Sequence, residues 1–429
     1  MKYLPISTTL FVANRQRLYA HLKPNSLVLL NSNDLMPTNA DGMMPFRQNN
    51  DIFYFSGIDQ EESILLLFPE SPDPKMREVL FLRETNELIA VWEGHKYTKE
   101  EAKATSGITT VFWLSEFTAT FNMLMGLCEY VYLNTNEHSR AVVEVETRDA
   151  RFTHWCQKNY PLHTYQRLTP LMHRLRATKM SEEIALIQTA CNITEKGFRR
   201  ILGFIKPGVT EYEIEAEFAH EFLRNRSKGF AYTPIVASGA NACVLHYIEN
   251  SQPCKAGEVI LLDVGAEYAN YASDLTRCVP VSGKFTTRQR AVYEAVLRVM
   301  KGATDMLKIG NVMDEYTRAV GELMTKELVD LNLLTMQEVQ NQDEANPAYK
   351  KYFMHGTSHH LGLDVHDLGS RYRRFEAGMV YTCEPGIYIP AEGLGIRLEN
   401  DVLITETGNI DLMATIPIEA DEIENIMNA

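Results

Sequence analysis

Long apolar runs are missing from this chain. Nowhere in its 429 residues do the roughly 20 consecutive apolar positions of a membrane-spanning helix occur, so no helical span is expected. Cysteine is sparse and odd in number, seven, without CxxC spacing, which argues against a disulfide framework or a zinc knuckle. Basic residues are in deficit, 42 Lys and Arg against 56 Asp and Glu. With a formal net charge of −14 and no Lys/Arg block, nucleic-acid binding is not expected. The opening stretch, MKYLPISTTLFVANRQRL, lacks the apolar centre and cleavage site of a signal peptide, so a cytoplasmic protein is expected. What is present is ordinary for a globular protein, 45% hydrophobic and 23% charged residues, in a chain long enough for two domains.

The first part, about residues 1 to 172, alternates short apolar strands with helical stretches. Ser26 to Leu30, Ile52 to Ser56, Ser63 to Phe68 and Glu78 to Leu82 read as strands, and Leu10 to Leu22 and Thr98 to Ser106 as helices. This predicts an α/β domain with a mixed sheet. The character changes at Arg174-Leu-Arg-Ala-Thr-Lys, ahead of a long helix for which Ser181 is the candidate N-cap, with Glu182 and Glu183 in its first turn. The expected domains are therefore 1–174 and 175–429.

A weak internal repeat runs through the second part. A helix ends at Ile205-Lys-Pro-Gly208, and Thr210-Glu-Tyr-Glu213 opens the next as a capping box. A hairpin follows. Thr286-Thr-Arg-Gln289 then caps another helix ending at Leu307-Lys-Ile-Gly310, a further helix runs from about Val312 to Val329, and a second hairpin spans Met379 to Ile404. Two such halves predict a pseudo-two-fold α/β domain with its site between them.

Each hairpin carries a pair of acids. In GEVILLDVGAEYANYASDLTRCVPV the strands Val259 to Val264 and Tyr271 to Val281 flank the turn Glu267-Tyr-Ala-Asn270. A midpoint between Tyr268 and Ala269 sets Asp263 opposite Asp274, with Cβ atoms about 5 Å apart. In the second hairpin, a midpoint between Ala391 and Glu392 sets Glu384 opposite Glu399. A surface ladder of chance acids explains either pair alone; recurrence at matching places in a repeat argues against it. Paired carboxylates among Leu261, Leu262 and Val264 repel unless a cation lies between them.

Between the hairpins, HGTSHHLGLDVHDLG holds His355, His359, His360 and His366. Neither zinc-finger spacing nor HExxH occurs. Four carboxylates with one imidazole form a hard, oxygen-rich donor set that suits Mn²⁺, with Zn²⁺ or Co²⁺ possible, and two divalent ions balance its four negative charges. Two such ions acidify a shared water for attack on a carbonyl or phosphoryl group, so metal-assisted hydrolysis is expected.

The ordered set Asp263, Asp274, His359, Glu384 and Glu399, in DVGAEYANYASDLTR, HGTSHHLGLDVHD, EPGIYI and GIRLEND, resembles the five-ligand dinuclear site of the pita-bread metallopeptidases. These include methionine aminopeptidases, prolidases and Xaa-Pro aminopeptidases. PFRQNNDIFYFSGI is similar to the N-domain of the last two, which extends the resemblance to nearly the whole chain, and HGTSHHLGLDVHD is closer to the aminopeptidase P version. The resemblance implies an N-terminal mixed α/β domain before a C-terminal pita-bread catalytic domain. It implies an exopeptidase that releases the residue before proline from proline-containing peptides, a metal-bridging hydroxide attacking the Xaa-Pro carbonyl. A prolidase limited to dipeptides and a non-catalytic peptide-binding module are the alternatives. It further implies that Asp263 chelates one metal, that Asp274 and Glu399 bridge both, and that His359 and Glu384 complete the set. Glu384 would manage the water's proton and His246 would steady the tetrahedral intermediate, although its surroundings alone suggest a core histidine. His355 and His366 would line the pocket, serving proton transfer and proline recognition, with Arg397 and Tyr388 behind the ligands. His360 has no counterpart and reads as a packing or surface residue. Asp41 and Trp92 resemble positions by which a neighbouring subunit closes the cleft of a homodimer or homotetramer; Trp92 could equally pack its own domain. GIRLEND departs from the usual pattern at Asn400, where an acid often follows the ligand glutamate.

Overall fold

The computed structural model describes residues 2–138, 140–141, 144–343 and 345–429. They divide into two compact units, residues 3–175 and, with Lys2, residues 176–429.

The first unit is built on a six-stranded mixed sheet of β1 (Ser26–Asn31), β2 (Ile64–Leu67), β3 (Glu78–Leu82), β4 (Thr110–Trp113), β5 (Tyr130–Leu133) and β6 (Thr164–Arg167), in the order β4-β3-β2-β1-β5-β6. β1, β2 and β3 pair antiparallel, whereas β1 with β5, β5 with β6 and β3 with β4 are parallel. Leu27, Leu29, Leu66 and Phe81 of one face bury against Phe121 and Cys156. α1 (Thr8–Tyr19) is pinned by buried Arg15, which donates to Phe55 O at 2.7 Å and Ser106 O at 3.0 Å.

Ile52 to Ser56, expected as a strand, is instead part of a helix, α2 (Asn50–Ser56). Asn49 caps it by accepting the Asp51 N–H at 2.9 Å, and Gly57 ends it at φ 67°. All five residues are buried, and a fully buried run this short has no periodicity by which to separate helix from strand. The unit also contains α3 (Glu87–Glu93), α4 (Lys99–Ser106), α5 (Phe117–Met125) and α6 (Arg148–Asn159), and α7 (Thr169–Ala177) reaches its end.

The second unit carries the repeat. α8 (Ser181–Leu202) packs on α9 (Glu211–Arg224), as α10 (Thr287–Met306) does on α11 (Met313–Asp330). The Lys-x-Gly turns match: Gly208 sits at φ 94° and Gly310 at φ 91°, each two residues before the cap of the next helix. Ser181 is the first helical residue of α8 rather than its cap; Met180 holds the cap position and donates its N–H to Glu183 Oε2 at 2.9 Å. α12 (Met336–Gln340) and α13 (Ala420–Met427) complete the helices named here.

Between the helix pairs lie two short sheets. One has the order β11-β8-β7, from β7 (Ile235–Ser238), β8 (Val259–Val264) and β11 (Leu275–Pro280), and continues into the hairpin tip of β9 (Glu267–Tyr268) and β10 (Tyr271–Ala272). The other has the order β12-β15-β16, from β12 (Val380–Cys383), β15 (Asn400–Thr405) and β16 (Gly408–Asp411), with the paired β13 (Gly386–Ile389) and β14 (Leu394–Arg397) at its tip.

Candidate metal centre and its surroundings

The first hairpin folds in a different register from the one expected. Ala269 and Asn270, at φ 53° and 67°, form a two-residue turn, so Tyr268 pairs with Tyr271 and Asp263 with Thr276. Asn tolerates this left-handed backbone, and Lys228 Nζ holds its Oδ1 at 3.1 Å. Asp274 therefore sits diagonally across from Asp263, not directly opposite. A shift of two positions keeps both carboxylates on one face of the ribbon, so their proximity survives. Gly265 permits the close approach beside them, since a Cβ there would lie 1.8 Å from Ser273 O.

In the second hairpin the expected register holds. Cys383 pairs with Asn400 and Gly386 with Arg397, which brings Glu384 opposite Glu399 between the two ladders. The hairpins join at Thr276 and Glu399, where the Glu399 N–H donates to Thr276 O at 3.0 Å and Thr276 Oγ1 to Glu399 Oε2 at 2.6 Å.

Donor atoms of Asp274, His359 and Glu399 all lie within 4.8 Å of one another. His359 Nε2 is 3.6 Å from Asp274 Oδ2 and 3.6 Å from Glu384 Oε1. Its Nδ1 faces His360 O at 3.0 Å; donating there makes Nε2 the lone-pair nitrogen and turns it toward the carboxylates. Asp263 reaches the same cluster through Tyr232, whose hydroxyl is 2.7 Å from Asp263 Oδ1 and also bonds Asp274 Oδ1. A phenol has one proton, so with both carboxylates ionised it satisfies only one of them, and the other needs a further proton or a cation. The electrostatics agree. Burial first, then Asp263 and Asp401, push the Asp274 carboxyl well above its usual range; burial, then Asp274 and Glu384, do the same to Glu399. Buried carboxylates that destabilise one another's charge, with an imidazole lone pair turned toward them, fit divalent metal.

Arg397 supplies the nearest fixed positive charge. Buried, it ion-pairs with Asp263 Oδ2 and donates from Nε to Thr276 Oγ1 at 3.2 Å and from Nη1 to the Tyr388 hydroxyl at 2.9 Å. Tyr388 in turn lies 2.8 Å from His355 Nε2, while His355 Nδ1 faces Gly356 O at 2.8 Å and Glu384 Oε2 at 3.7 Å. Burial, then Arg397, lowers His355 to about 3, so it is a neutral imidazole at physiological pH. The His366 ring stacks on His359 with centroids 4.1 Å apart. His246 is exposed on the loop after the turn Gly239–Cys243, within electrostatic range of His355, and is not the core histidine its neighbours suggest.

His360 packs: its ring lies on Tyr381 and its Nε2 is 2.9 Å from the Tyr381 hydroxyl. The loop bearing these histidines is anchored by buried Asp367, which bonds Arg176 and lies 3.1 Å from Lys179 Nζ. Asp41 and Trp92 lie in the first unit, both exposed, Trp92 at 82% on α3, so the domain-packing alternative for Trp92 is not realised.

Three contributors escaped the sequence reading. Tyr232 has no spacing signal at all. Thr276 follows Asp274, and Asp401 follows Glu399, by two residues on a strand, so alternation alone could have flagged both as sharing the acids' face.

Comparison with known proteins bears on this arrangement. Residues 185–406 match the model of metallopeptidase family M24, and residues 11–132 that of the aminopeptidase P N-terminal domain. The Xaa-Pro aminopeptidase of Escherichia coli is 36% identical, the match covering 99% of this chain and 98% of that protein. That of Haemophilus influenzae is 35% identical over 97% of each. The structure of E. coli aminopeptidase P with the inhibitor Pro-Leu superposes with a TM-score of 0.88 at 35% identity, covering 99% of both chains.

Proposed function

Because the chain belongs to metallopeptidase family M24 and carries the aminopeptidase P N-terminal domain ahead of the pita-bread domain, we infer that it is an Xaa-Pro aminopeptidase. It is a metalloaminopeptidase, dependent on divalent metal, that removes the N-terminal residue from peptides with proline second. The observation that carries the reading at the site is that donor atoms of half-buried His359 and of buried Asp274 and Glu399 lie within 4.8 Å of one another, in a chain alike over its full length to Xaa-Pro aminopeptidases.

In this reading 1–174 is the N-terminal domain and 175–429 the catalytic domain. Asp263, Asp274, His359, Glu384 and Glu399 would hold the divalent ions, Asp274, His359 and Glu399 forming one close group among them. Mn²⁺ is the proposed metal because four of the five donors are carboxylates. When bound, the ions supply an acidified water and polarise the scissile carbonyl.

The chain's own groups do the rest. Glu384 faces both His359 Nε2 and His355 Nδ1, and is the carboxylate placed to take the attacking water's proton and pass it to the departing proline nitrogen. Arg397, Tyr388 and Thr276 orient Asp263 and Glu399 by fixed hydrogen bonds. His366 and the neutral His355 line the pocket for the proline ring and peptide carbonyl, and exposed His246 donates to the developing oxyanion.

The seven cysteines are free thiols, which agrees with a cytoplasmic setting. Exposed Leu88, Val91 and Trp92 on α3 support a homodimer or homotetramer in which Asp41 and Trp92 meet a neighbouring subunit.

The test compares an Xaa-Pro dipeptide with Xaa-Pro-Yaa-Zaa peptides, with MnCl₂ present. Release of the first residue from the longer peptides is expected. Turnover of the dipeptide alone would make the protein a prolidase, and no turnover of either would leave a binding module.

A further inference from the structure

Asp401 is fully buried, yet no catalytic or ligating part has been assigned to it. Its position is informative because the two hairpins meet there. Thr276 and Glu399 form an isolated antiparallel bridge; continued two residues along each strand, its register would set Asp274 opposite Asp401. At the first pair the join is main chain to main chain, Glu399 N–H to Thr276 O at 3.0 Å. At the second the Asp274 N–H, which falls in the break between β10 and β11, donates instead to the Asp401 side chain, Oδ2 at 3.0 Å. A carboxylate thus accepts where, in a continued ladder, a backbone carbonyl would.

Asp401 is itself held in place. The Cys191 thiol of α8 donates to the same Oδ2 at 3.4 Å, and the Leu412 N–H caps the Asp401 carbonyl at 2.9 Å. Across β12 and β15 it pairs with Thr382, whose N–H donates to His359 O at 3.0 Å and whose Oγ1 accepts the His359 N–H at 3.2 Å. Asp401 is thus one hydrogen bond from Asp274, one strand pair from the residue that fixes His359, and two residues from Glu399 on the same strand face.

We propose that Asp401 is a positioning residue for the metal centre: by accepting the Asp274 N–H it sets the spacing of the two hairpins and aims the Asp274 carboxylate at His359 and Glu399. The proposal rests on the ligand assignment above. It assigns the effect to a hydrogen-bond acceptor, not to a negative charge.

Full-length Asp401→Ala, Asp401→Asn and Asp274→Ala proteins are dialysed free of metal and then equilibrated against MnCl₂ at a temperature at which circular dichroism shows each folded. Bound metal is counted by elemental analysis. Asp401→Ala is expected to lower Mn²⁺ affinity by roughly 10–100-fold, as is usual for a group that orients a ligand. Asp401→Asn, which keeps an acceptor oxygen, should stay within about threefold of the parent by the same reasoning. Should Asp401→Ala not fold, Asp401→Leu, which fills the volume without an acceptor, is read in the same way. A purely structural part would lower the melting temperature and leave the affinity of the folded protein unchanged, which overturns the proposal. An Asn variant as impaired as the Ala variant overturns it too. If Asp274→Ala keeps its full metal content, it is the ligand assignment that fails; if Asp274→Ala loses metal and Asp401→Ala does not, Asp401 alone is excluded.

Discussion

Replacing one buried carboxylate at the centre should act in opposite directions with and without metal. Asp274 and Glu399 are buried beside other acids, so without a cation their ionisation works against folding. Asp274→Asn and Glu399→Gln keep the side-chain volume and remove the charge. In EDTA each variant should melt a few degrees above the parent, about 1 kcal/mol corresponding to roughly 2–4 °C in a unit this large. With MnCl₂ each should lose aminopeptidase activity and most of the metal-induced rise in melting temperature. A variant that keeps most of its activity refutes its assignment as a ligand.

A second buried acid, in the first unit, gives that unit its own pH dependence. Asp149 is buried at the start of α6, accepting from Asn31 Nδ2 at 2.8 Å and Asn49 Nδ2 at 3.4 Å. Burial raises its carboxyl from 3.8 to about 7. A raised carboxyl binds its proton more tightly folded than unfolded. That contribution is intact below pH 4 and is lost as pH rises through about 7, by about 4 kcal/mol in all. Denaturant unfolding of the parent should therefore weaken between pH 4 and pH 7. In Asp149→Asn this part of the profile should flatten.

At the scale of elements, the hairpin turn decides where the acids go. Two residues at positive φ, Ala269 and Asn270, move the ribbon's centre by one position relative to a turn centred on Tyr268 and Ala269. Gly265 then lets the strands close beside the acids. Gly265→Ala should force the ribbon apart at Ser273, destabilise the protein by about 1–3 kcal/mol as overpacked sites do, and weaken Mn²⁺ binding as well. Equal metal affinity in the variant would show that the centre tolerates a wider hairpin. The elements that were legible are those whose caps and turns are local: Thr286 caps its helix as a capping box should, and at Thr210 the Glu213 carboxylate reaches back to the backbone N–H at 2.8 Å. Those misread lack a local signal. α2 is apolar on every side, and Ser181 gives up the cap position to Met180 because Glu183 reaches back to the backbone one residue earlier.

For the whole molecule, metal should be a large part of thermal stability, since it offsets mutual repulsion among buried acids. Dialysis against EDTA should lower the melting temperature, and MnCl₂ at 100 times its dissociation constant should restore about 2.7 kcal/mol. No shift on adding Mn²⁺, Zn²⁺ or Co²⁺ would contradict a structural part for the ions. That the acids come as two hairpin pairs with a histidine-bearing loop between them in the chain was legible in the sequence alone. Residue type and spacing along a strand or in a short motif are properties of neighbours in the chain. Tyr232 bridging two aspartates, Arg397 reaching Asp263 and Asp401 standing in for a backbone carbonyl were decided only by tertiary structure. Each joins segments tens to more than a hundred residues apart, and each exists because burial removes the water that would otherwise satisfy those groups.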